Sequence, residues 1–424
     1  MTGARDFALL QLDALRLPDL PARTLRRHLA PPTDPRDLAL AEQLRVGVIK
    51  NLLWLQVLIE HHGGLNRQTL DPLLQKILAI GLYQLRFLTR IPARAAVDEA
   101  VKQAKRFGRG KAGGFVNAVL RKAAREPDPD DVPDPLRLSH PAILFQRILK
   151  LYDGDEDAAL ALCRRHNQEP PLILRLSPGR SVDDLRIDLP EGVMLSPHEA
   201  PGMVVVEGAG RDLLAIWAAR GIAQAQDPTS ATVAAACDVQ PGQLVLDRCC
   251  GVGTKTIQLA EMVGPGGKVF AIDPNPRRCQ ILRRTLAERG IGHVGVIEAS
   301  WAKDTTGVLP RQFDRVLVDA PCGNSGVLIR RPEARYSQSA GALRSLVDLQ
   351  RRILSDTAPL VRPGGLLVYS TCSIWPEENG RVADWFVANH DAFEALRQTV
   401  TLPSTTEEPS RHHDGGFVAV FRRA

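Results

Sequence analysis

Apolar residues recur at helical spacing through the first third of the chain. Between residues 36 and 125, leucine, isoleucine and valine follow the three- and four-residue spacing of amphipathic helices, for example along residues 73–82. Gly63-Gly64 and Pro92 interrupt this spacing and divide it into several helices. The pattern predicts an all-α bundle over residues 1–126.

The pattern changes abruptly after this bundle. Residues 126–135 alternate prolines with acidic residues, which predicts an inter-domain linker over residues 127–140. Beyond it, two stretches of helical spacing are followed by short apolar runs typical of strands. They predict a small α/β module over residues 141–215.

The remaining residues, 216–424, alternate strand-like and helix-like stretches. The strand-like runs are residues 244–247, 269–273, 294–298, 315–319 and 365–370, and the helical ones include residues 257–263 and 278–288. This alternation predicts an α/β domain with a mainly parallel, doubly wound sheet. The chain is therefore expected to be a multi-domain protein.

The composition is typical of a globular protein, and the distribution of charge along the chain indicates an anionic partner. Of 424 residues, 44% are hydrophobic and 24% charged, as in soluble domains. The first 125 residues hold 21 Lys and Arg against 10 Asp and Glu, whereas the rest holds 33 against 38. A basic helical region favours an anionic partner, most simply nucleic acid, and a solvated helical surface is the plain alternative.

Several classes of protein are disfavoured. The first residues contain no apolar segment, so no export signal is expected, and no apolar run approaches the ~20 residues of a membrane span. Seven cysteines, an odd number, favour reduced thiols and a cytoplasmic location. No Cys/His spacing is typical of zinc, so no metal is expected.

Two cysteines follow predicted strands near the end of the chain. They stand in Asp319-Ala320-Pro321-Cys322 and Ser370-Thr371-Cys372-Ser373. Open α/β sheets bind ligands at the carboxyl ends of their strands. An acid beside a potential thiolate suits covalent attack on an electrophilic ring. The plain alternative is a pair of small buried side chains, since free cysteine is often buried.

A glycine-containing turn follows an earlier strand. Residues 247–256 lead from that strand into a helix, and Asp273 closes the next strand. Backbone N–H groups at such a turn can face a nucleotide-like ligand, and the acid can bind ribose hydroxyls. Together they predict a nucleoside-type cofactor. Asp273 is alternatively a helix cap, because Pro274 and Pro276 follow it.

Several of these strings resemble one family. Residues 246–256, 319–326, 369–379 and 413–419 resemble motifs of the NSUN/RsmB family of RNA cytosine-5 methyltransferases. Residues 77–85, 96–101 and 115–121 resemble the N-terminal domain of its bacterial ribosomal-RNA members, which is similar to the helical, RNA-binding antitermination factor NusB. The resemblance covers nearly the whole chain and implies a NusB-like domain, a linking α/β module and a Rossmann-like methyltransferase domain.

The resemblance also implies roles for the motif residues. Cys372 would add to carbon 6 of cytosine, and Cys322 would assist release of the covalent adduct. Asp319 would hydrogen-bond the edge of the base, and Lys255 would lower the pKa of a nearby thiol or orient the base. The methyl donor implied is S-adenosylmethionine.

For that cofactor, Asp273 would hold the ribose and the Gly251–Thr254 turn the methionine end. The full set of expected cofactor-binding residues is Cys249, Cys250, Gly251, Val252, Gly253, Thr254, Lys255, Asp273, Arg278, Ser300 and Asp319.

Three departures from the family pattern concern the cofactor site. The family usually has Ala-Pro-Gly-Gly-Lys-Thr where this chain has Gly251-Val252-Gly253-Thr254-Lys255-Thr256. An acid is common where this chain has Ser300, or Glu298 if the register shifts by two, and Gly323 replaces the usual serine. These departures put cofactor affinity in question.

Candidate RNA-binding residues are basic. Arg330 and Arg331 are expected to take a phosphate, or else to lie in a solvated loop. Lys102, Lys105, Arg106 and Arg109 are expected to contact the RNA backbone, the alternative again being a solvated face. Pro376-Glu377-Glu378-Asn379 matches the family but is also typical of an ordinary helix start.

The sequence thus leads to one expectation with two alternatives. The expected protein is a monomeric, cytoplasmic enzyme that forms 5-methylcytosine in small-subunit ribosomal RNA. One alternative has transfer RNA as the substrate. The other is a non-catalytic RNA-binding or ribosome-assembly factor with a degraded cofactor site.

Overall fold

The structure is a computed structural model that describes residues 3–15, 17, 25, 30–187, 189–300 and 309–424. The chain divides into two compact units. Unit 1 comprises Met1–Glu169 and the later segment Leu328–Gln338, and unit 2 comprises Pro170–Val327 and Ser339–Ala424. In the described part of both units, no helix combines the length and the apolar character needed to cross a membrane.

Unit 1 is helical, and the predicted bundle is confirmed. Asp34 and Asp71 accept backbone N–H groups at the starts of two helices whose first residue is proline. The fourth helix is buried along all of residues 73–84, which makes it the centre of the core. The helices are α1 Ala4–Ala14, α2 Pro35–Lys50, α3 Leu52–Gly63, α4 Pro72–Phe87, α5 Ala93–Arg106, α6 Gly113–Ala123, α7 Asp134–Arg137, α8 Ala142–Leu151 and α9 Glu156–Asn167.

The acidic, proline-rich stretch belongs to this unit. Arg86 donates from Nε and Nη2 to the carboxylate of Asp128, with the shortest contact at 2.6 Å. Arg137 Nη2 donates to the carbonyl oxygens of Pro129 and Asp130 at 2.6 and 2.7 Å. The predicted boundaries at residues 126 and 140 therefore differ from the structural division, because these ion-pair and backbone contacts hold the stretch on the helices.

A second segment of unit 1 comes from far along the chain. Within Leu328–Gln338, the fully buried Arg335 donates to the carbonyl oxygen of His166 and to Oδ1 of Asn167, both at 2.7 Å. The Tyr336 hydroxyl donates to the carbonyl oxygen of Ile49 at 2.7 Å. Burial lowers the pKa of Arg335 to about 10. These contacts explain why eleven residues from the C-terminal half count with the N-terminal unit.

Unit 2 begins with a four-stranded antiparallel sheet of order β2-β3-β1-β4. Its last strand pairs with the first, Ala225 opposite Leu174, so this sheet extends past the predicted limit at residue 215. The predicted start at residue 141 also differs, because α8 and α9 belong to unit 1. Its elements are β1 Leu172–Leu176, α10 Val182–Arg186, β2 Met194–Pro197, β3 Met203–Glu207, α11 Arg211–Ala219 and β4 Ala223–Ala225.

The rest of unit 2 is the predicted Rossmann-like domain, and the mainly parallel sheet is confirmed. Its seven described strands have the order β10-β11-β9-β8-β5-β6-β7, in which β11 alone runs antiparallel to the others. The elements are α12 Pro228–Ala235, β5 Leu244–Asp247, α13 Thr254–Val263, β6 Lys268–Asp273, α14 Pro276–Glu288, β7 Val294–Glu298, β8 Phe313–Asp319, α15 Ala340–Thr357, β9 Val361–Thr371, α16 Gly380–Asn389, β10 Phe393–Thr401 and β11 Gly416–Arg423.

Candidate active site

The carboxyl ends of four neighbouring strands define the site. β9, β8, β5 and β6 are adjacent in the sheet, and the chain leaves β5 and β8 toward opposite sides. In the parallel register Asp319 lies beside Ser370, and Asp247 lies beside Leu317. Such a topological switch point is where open α/β sheets form their binding crevice.

The two predicted cysteines meet at this edge. Cys322 follows β8, Cys372 is the residue after β9, and their Sγ atoms lie 3.0 Å apart. The Cys372 thiol also donates a hydrogen bond to Oδ1 of Asn324, with Sγ 3.1 Å from that oxygen. The contact with Cys372 and burial raise the pKa of Cys322 well above its ordinary value. Cys322 is therefore held as a thiol that can donate to Cys372.

A lysine and an aspartate stand beside this pair. Lys255, in the first turn of α13, places Nζ 2.7 Å from Oδ2 of Asp319. The Ser370 hydroxyl donates to the other oxygen, Oδ1, at 2.6 Å. Burial opposes the charge of Lys255, but Asp319 outweighs it and raises the pKa of this ammonium group. Asp319 is thus oriented from both sides, and Lys255 supplies a fixed positive charge.

These groups line one pocket. Lys255, Asp319 and Cys372 share it, and the cavity has an empty volume of about 310 Å³. The other lining residues, which the sequence did not identify as site residues, are Asp227, Thr229, Ser230, Val233, Val327, Thr371, Asp414, Gly415 and Gly416. Of these, residues 414–416 belong to the string whose resemblance to the family was the available signal.

The glycine turn lies over β5 and β6. The Gly251 N–H donates to Oδ2 of Asp273 at 3.1 Å, and a side chain built at Gly251 would meet no atom within 4 Å. Gly253 has φ of 93°, and a Cβ there would lie 2.1 Å from Leu282, so this position requires glycine. The turn keeps open space in front of Gly251 at the start of α13, which fits a bound nucleoside.

Other predicted cofactor-binding residues surround the turn. The buried Asp273 also accepts the N–H of Asn275 at 2.8 Å, and Arg278 Nη1 lies 3.7 Å from its Oδ2. Asp273 thus accepts two backbone N–H groups besides being a candidate ribose ligand, and the cap of α14 is Asn275 rather than Asp273. Val252 is exposed, and Thr254 begins α13.

The end of the third strand carries the next candidates. Glu298 ends β7 directly beside Asp273 in the parallel register. The exposed Ser300 is two residues further on, immediately before residues outside the described part of the chain. Register thus places Glu298, the alternative to Ser300, nearer to Asp273 along the sheet edge.

Cys249 and Cys250 have a different environment from the reactive pair. Cys250 is buried in an apolar cluster with Ile257 and Leu282. Burial, with Asp247 as the next cause, raises the pKa of both cysteines well above the ordinary thiol range. Burial also raises the pKa of Asp247 to about 7, although the Thr256 hydroxyl donates to it at 2.6 Å.

The Pro376-Glu377-Glu378-Asn379 string lies directly before a helix, with Asn379 as its N-cap. α16 begins only at Gly380, and Glu378 and Asn379 are fully buried. The Thr371 hydroxyl donates to Oδ1 of Asn379 at 2.6 Å, and Nδ2 of Asn379 donates to the Ser373 carbonyl at 2.9 Å. Buried polar groups are hydrogen-bonded in folded proteins. The two bonds of Asn379 go to the residues on either side of Cys372 and therefore hold the loop of that cysteine.

The predicted RNA-binding residues of α5 and its following turn are mostly ion-paired. Lys102 lies 2.9 Å from Glu99, Arg106 2.9 Å from Asp6, and Arg109 2.9 Å from Asp71. Lys105 is exposed. Exposed Arg330 and Arg331 belong to unit 1, where Arg331 lies 3.8 Å from Glu333. Acidic neighbours thus reduce the positive charge that several of these residues could offer to RNA.

One group of residues bears on the expectation that no metal binds. Asp227, His412 and Asp414 place potential ligand atoms within 4.8 Å of one another. The Asp227 carboxylate already accepts the N–H groups of Thr229 at 2.9 Å and Asp414 at 3.1 Å. These contacts account for the placement of Asp227 as the cap of α12.

Comparison with known proteins identifies the family. The family described as "16S rRNA methyltransferase RsmB/F" matches residues 234–422, and the NusB family matches residues 3–125. "Probable ribosomal RNA small subunit methyltransferase B" of Synechocystis is 31% identical, with 100% of each chain covered. The protein of the same name from Bacillus subtilis is 31% identical, covering 93% of this chain and 90% of that one.

A solved structure shows the same fold. The protein named PH0851 matches with a TM-score of 0.76 at 22% identity, covering 92% of this chain and 91% of the other. With a family match over the catalytic domain and 31% identity to a relative along the whole chain, the protein belongs to the RsmB/F family of S-adenosylmethionine-dependent RNA methyltransferases.

Proposed function

We propose that this enzyme forms 5-methylcytosine in small-subunit ribosomal RNA, with Cys372 as the nucleophile. The observation that carries the proposal is the pair of thiols 3.0 Å apart beside the Lys255–Asp319 ion pair. Carbon 5 of cytosine is a poor nucleophile, and addition of a thiolate to carbon 6 activates it. A second thiol has no use in methylation of nitrogen or oxygen atoms, so the pair favours carbon methylation.

The side chains divide the chemistry between them. Cys372 forms a bond from Sγ to carbon 6, with the ammonium group of Lys255 in the same pocket. Asp319, held by Lys255 and Ser370, hydrogen-bonds the base edge and stabilises the proton there as electron density moves to carbon 5. The target base has to leave its stack to enter the pocket.

Release reverses the addition. Carbon 5 loses its proton to water, the bond from carbon 6 to Sγ breaks, and the electron pair returns to Cys372. The Cys322 thiol, 3.0 Å away, donates a hydrogen bond to this sulfur as its negative charge returns. Cys322 thereby assists departure of the methylated base.

S-adenosylmethionine supplies an electrophilic methyl group when it is bound. The turn from Cys249 to Thr254 and the Asp273 carboxylate fit its nucleoside and methionine parts, since the backbone before α13 is open there. Arg278 orients Asp273, and Glu298 or Ser300 faces the adenine side.

The remaining residues define how RNA is bound. Exposed Lys105, Arg330 and Arg331 contact phosphates, and Arg331, like Lys102, Arg106 and Arg109, has to exchange an acidic neighbour for the RNA backbone. The enzyme acts as a cytoplasmic monomer without a metal; all seven cysteines are free, as expected of a reducing compartment.

Bisulfite sequencing tests the product and the substrate together. Purified enzyme, S-adenosylmethionine and 16S ribosomal RNA are expected to give one cytosine protected from conversion, and transfer RNA under the same conditions is expected to give none. If a cytosine were protected in transfer RNA and none in 16S ribosomal RNA, the substrate would be transfer RNA. Transfer of methyl groups without protected cytosine would contradict the cytosine-5 chemistry.

A further inference from the structure

A buried carboxylate that the reaction above does not use lies against both cysteine loops. Oε1 of the fully buried Glu378 accepts the backbone N–H of Gly323 at 2.8 Å and Nε2 of Gln350 at 3.1 Å. Its Oε2 accepts the Ser373 hydroxyl at 2.5 Å. Gly323 and Ser373 directly follow the two cysteines in sequence. One side chain therefore ties the loop of Cys322 to the loop of Cys372.

The approach of this carboxylate depends on a glycine. A Cβ built at Gly323 would lie 3.0 Å from Oε2 of Glu378, closer than such atoms ordinarily pack. The position where the family motif usually has serine thus admits the Glu378 carboxylate against the backbone in this chain. All three hydrogen-bonding partners of Glu378 are donors, so both of its oxygens serve as acceptors.

Charge distinguishes the two sulfur atoms. The contact with Cys372, burial and the negative charges of Cys372 and Glu378 together raise the pKa of Cys322. Lys255 shares the pocket of Cys372 and brings positive charge to it. Cys322 thus interacts with the charge of Glu378, and Cys372, 3.0 Å away, interacts with the charge of Lys255.

We propose that Glu378 is the positioning residue that makes the two cysteines unequal. It fixes the Cys322 loop against Cys372 and keeps Cys322 a hydrogen-bond donor, so that Cys372 attacks and Cys322 serves release. No bond to Glu378 forms or breaks, and Cys322 keeps its proton throughout. The assignment of attack and release rests on the proposed function, whereas the unequal reactivity of the free enzyme does not.

Alkylation of the free enzyme tests the inequality directly. Iodoacetamide is applied at pH 8, and peptide mass spectrometry follows Cys322 and Cys372 separately. Glu378→Gln is expected to speed alkylation of Cys322 about fivefold or more, because the thiolate is the reactive form and the opposing charge is gone. Glu377→Gln removes the same charge from the neighbouring residue and is expected to leave the ratio of the two rates unchanged.

A merely structural role predicts a different result. It would raise alkylation of both cysteines together in Glu378→Gln, and such a result, or an unchanged ratio, overturns the proposal. Should that variant fail to fold, Gly323→Ala is used, since it keeps the charge but displaces the carboxylate. It is expected to shift the ratio in the same direction by about twofold; an unchanged ratio in the folded variant also overturns the proposal.

A second measurement follows the consequence for the reaction. With cytosine-containing ribosomal RNA and S-adenosylmethionine, Glu378→Gln is expected to accumulate a covalent protein–RNA complex, visible on a denaturing gel, that Glu377→Gln does not. Equal amounts of complex in the two variants contradict the role in release. If the wild-type enzyme makes no 5-methylcytosine, the proposed function fails while the alkylation ratio still decides the role of Glu378.

Discussion

Two pairs of cysteines lie along the same edge of one sheet and differ in the groups that surround them. Cys249 and Cys250 follow β5, where burial and Asp247 raise their pKa values. Cys322 and Cys372 follow β8 and β9, where Lys255 and Asp319 share the pocket of Cys372. Cys250 is buried in an apolar cluster, whereas Cys372 lines the pocket. Environment, rather than the cysteine itself, decides which sulfur can react.

The place of each pair in the fold explains why their surroundings differ. Cys250 belongs to an apolar cluster with residues of α13 and α14. The backbone N–H of Cys250 donates to the carbonyl oxygen of Ile272 in β6 at 2.9 Å, which holds the turn against that strand. Cys372 instead stands just beyond the longest parallel strand, β9, and Asn324 and Cys322 contact its sulfur. A thiol held by polar neighbours at a strand end is available for attack.

Removing the reactive sulfur is expected to have the largest effect. Cys372→Ala should lower methyl transfer from S-adenosylmethionine to RNA by about 10⁴-fold or more, because it removes the group that adds to the ring in the proposed reaction. Cys250→Ala, at the other pair, should keep the chemical step within about threefold once it folds. Tritiated methyl incorporation measures both; comparable losses would erase the distinction between the pairs.

The second cysteine of the reactive pair is expected to act later. Cys322→Ala should leave attack intact but slow release, so that a covalent complex with RNA accumulates on denaturing gels. The double variant Cys322→Ala/Cys372→Ala should form none. Accumulation in Cys372→Ala instead would exchange the two assignments.

A smaller loss is expected from the charge that favours the reactive thiolate. Lys255→Met removes the ammonium group beside Asp319 and should lower kcat by about 10²-fold. Lys268→Met, an exposed lysine on β6, is the matched control and should change kcat by less than about twofold. Equal effects of the two changes would show that Lys255 acts only through overall charge.

The last effect concerns the stability of the protein rather than its activity, and it arises at Asp247, next to the buried cysteines. Because burial raises the pKa of Asp247 to about 7, the folded state binds its proton more tightly than the unfolded state, and stability falls as pH rises from about 4 through 7. Relative to Asp247→Asn, the wild type should lose on the order of 4 kcal/mol over that interval. Urea unfolding at both pH values measures this; a difference independent of pH would contradict the pKa.

Periodicity predicted the buried elements better than the exposed ones. β5 appears with the predicted bounds, because a strand in the interior of a parallel sheet is a continuous apolar run. β7, a half-buried edge strand, also appears with the predicted bounds. β10 was not among the predicted strands, since most of its side chains are exposed and its sequence lacks an apolar face. The docking of Arg335 in unit 1 left no periodic signal either, because a single buried guanidinium is satisfied by carbonyl oxygens distant in sequence.

The residues of the candidate site likewise fall into those that the sequence identified and those that it did not. Cys322, Cys372, Asp319 and Asp273 could be identified from sequence because each directly follows a strand of a recognisable motif. The sequence left open whether Glu378 belongs to a family motif or to an ordinary helix start, and its contacts with both cysteine loops became visible only in the structure. Asp227 and Thr229 were missed because they reach the pocket from α12, which is distant in sequence from the motifs.

The sequence by itself determined the helical domain, the parallel sheet, the family and which residues stand at strand ends, because periodicity and motif spacing are local properties. Only the tertiary structure decided which of these residues meet. It placed Cys322 against Cys372, Lys255 against Asp319 and Glu378 between the two cysteine loops. The physical reason is that burial, charge and hydrogen bonds act across strands, between residues that the chain itself keeps far apart.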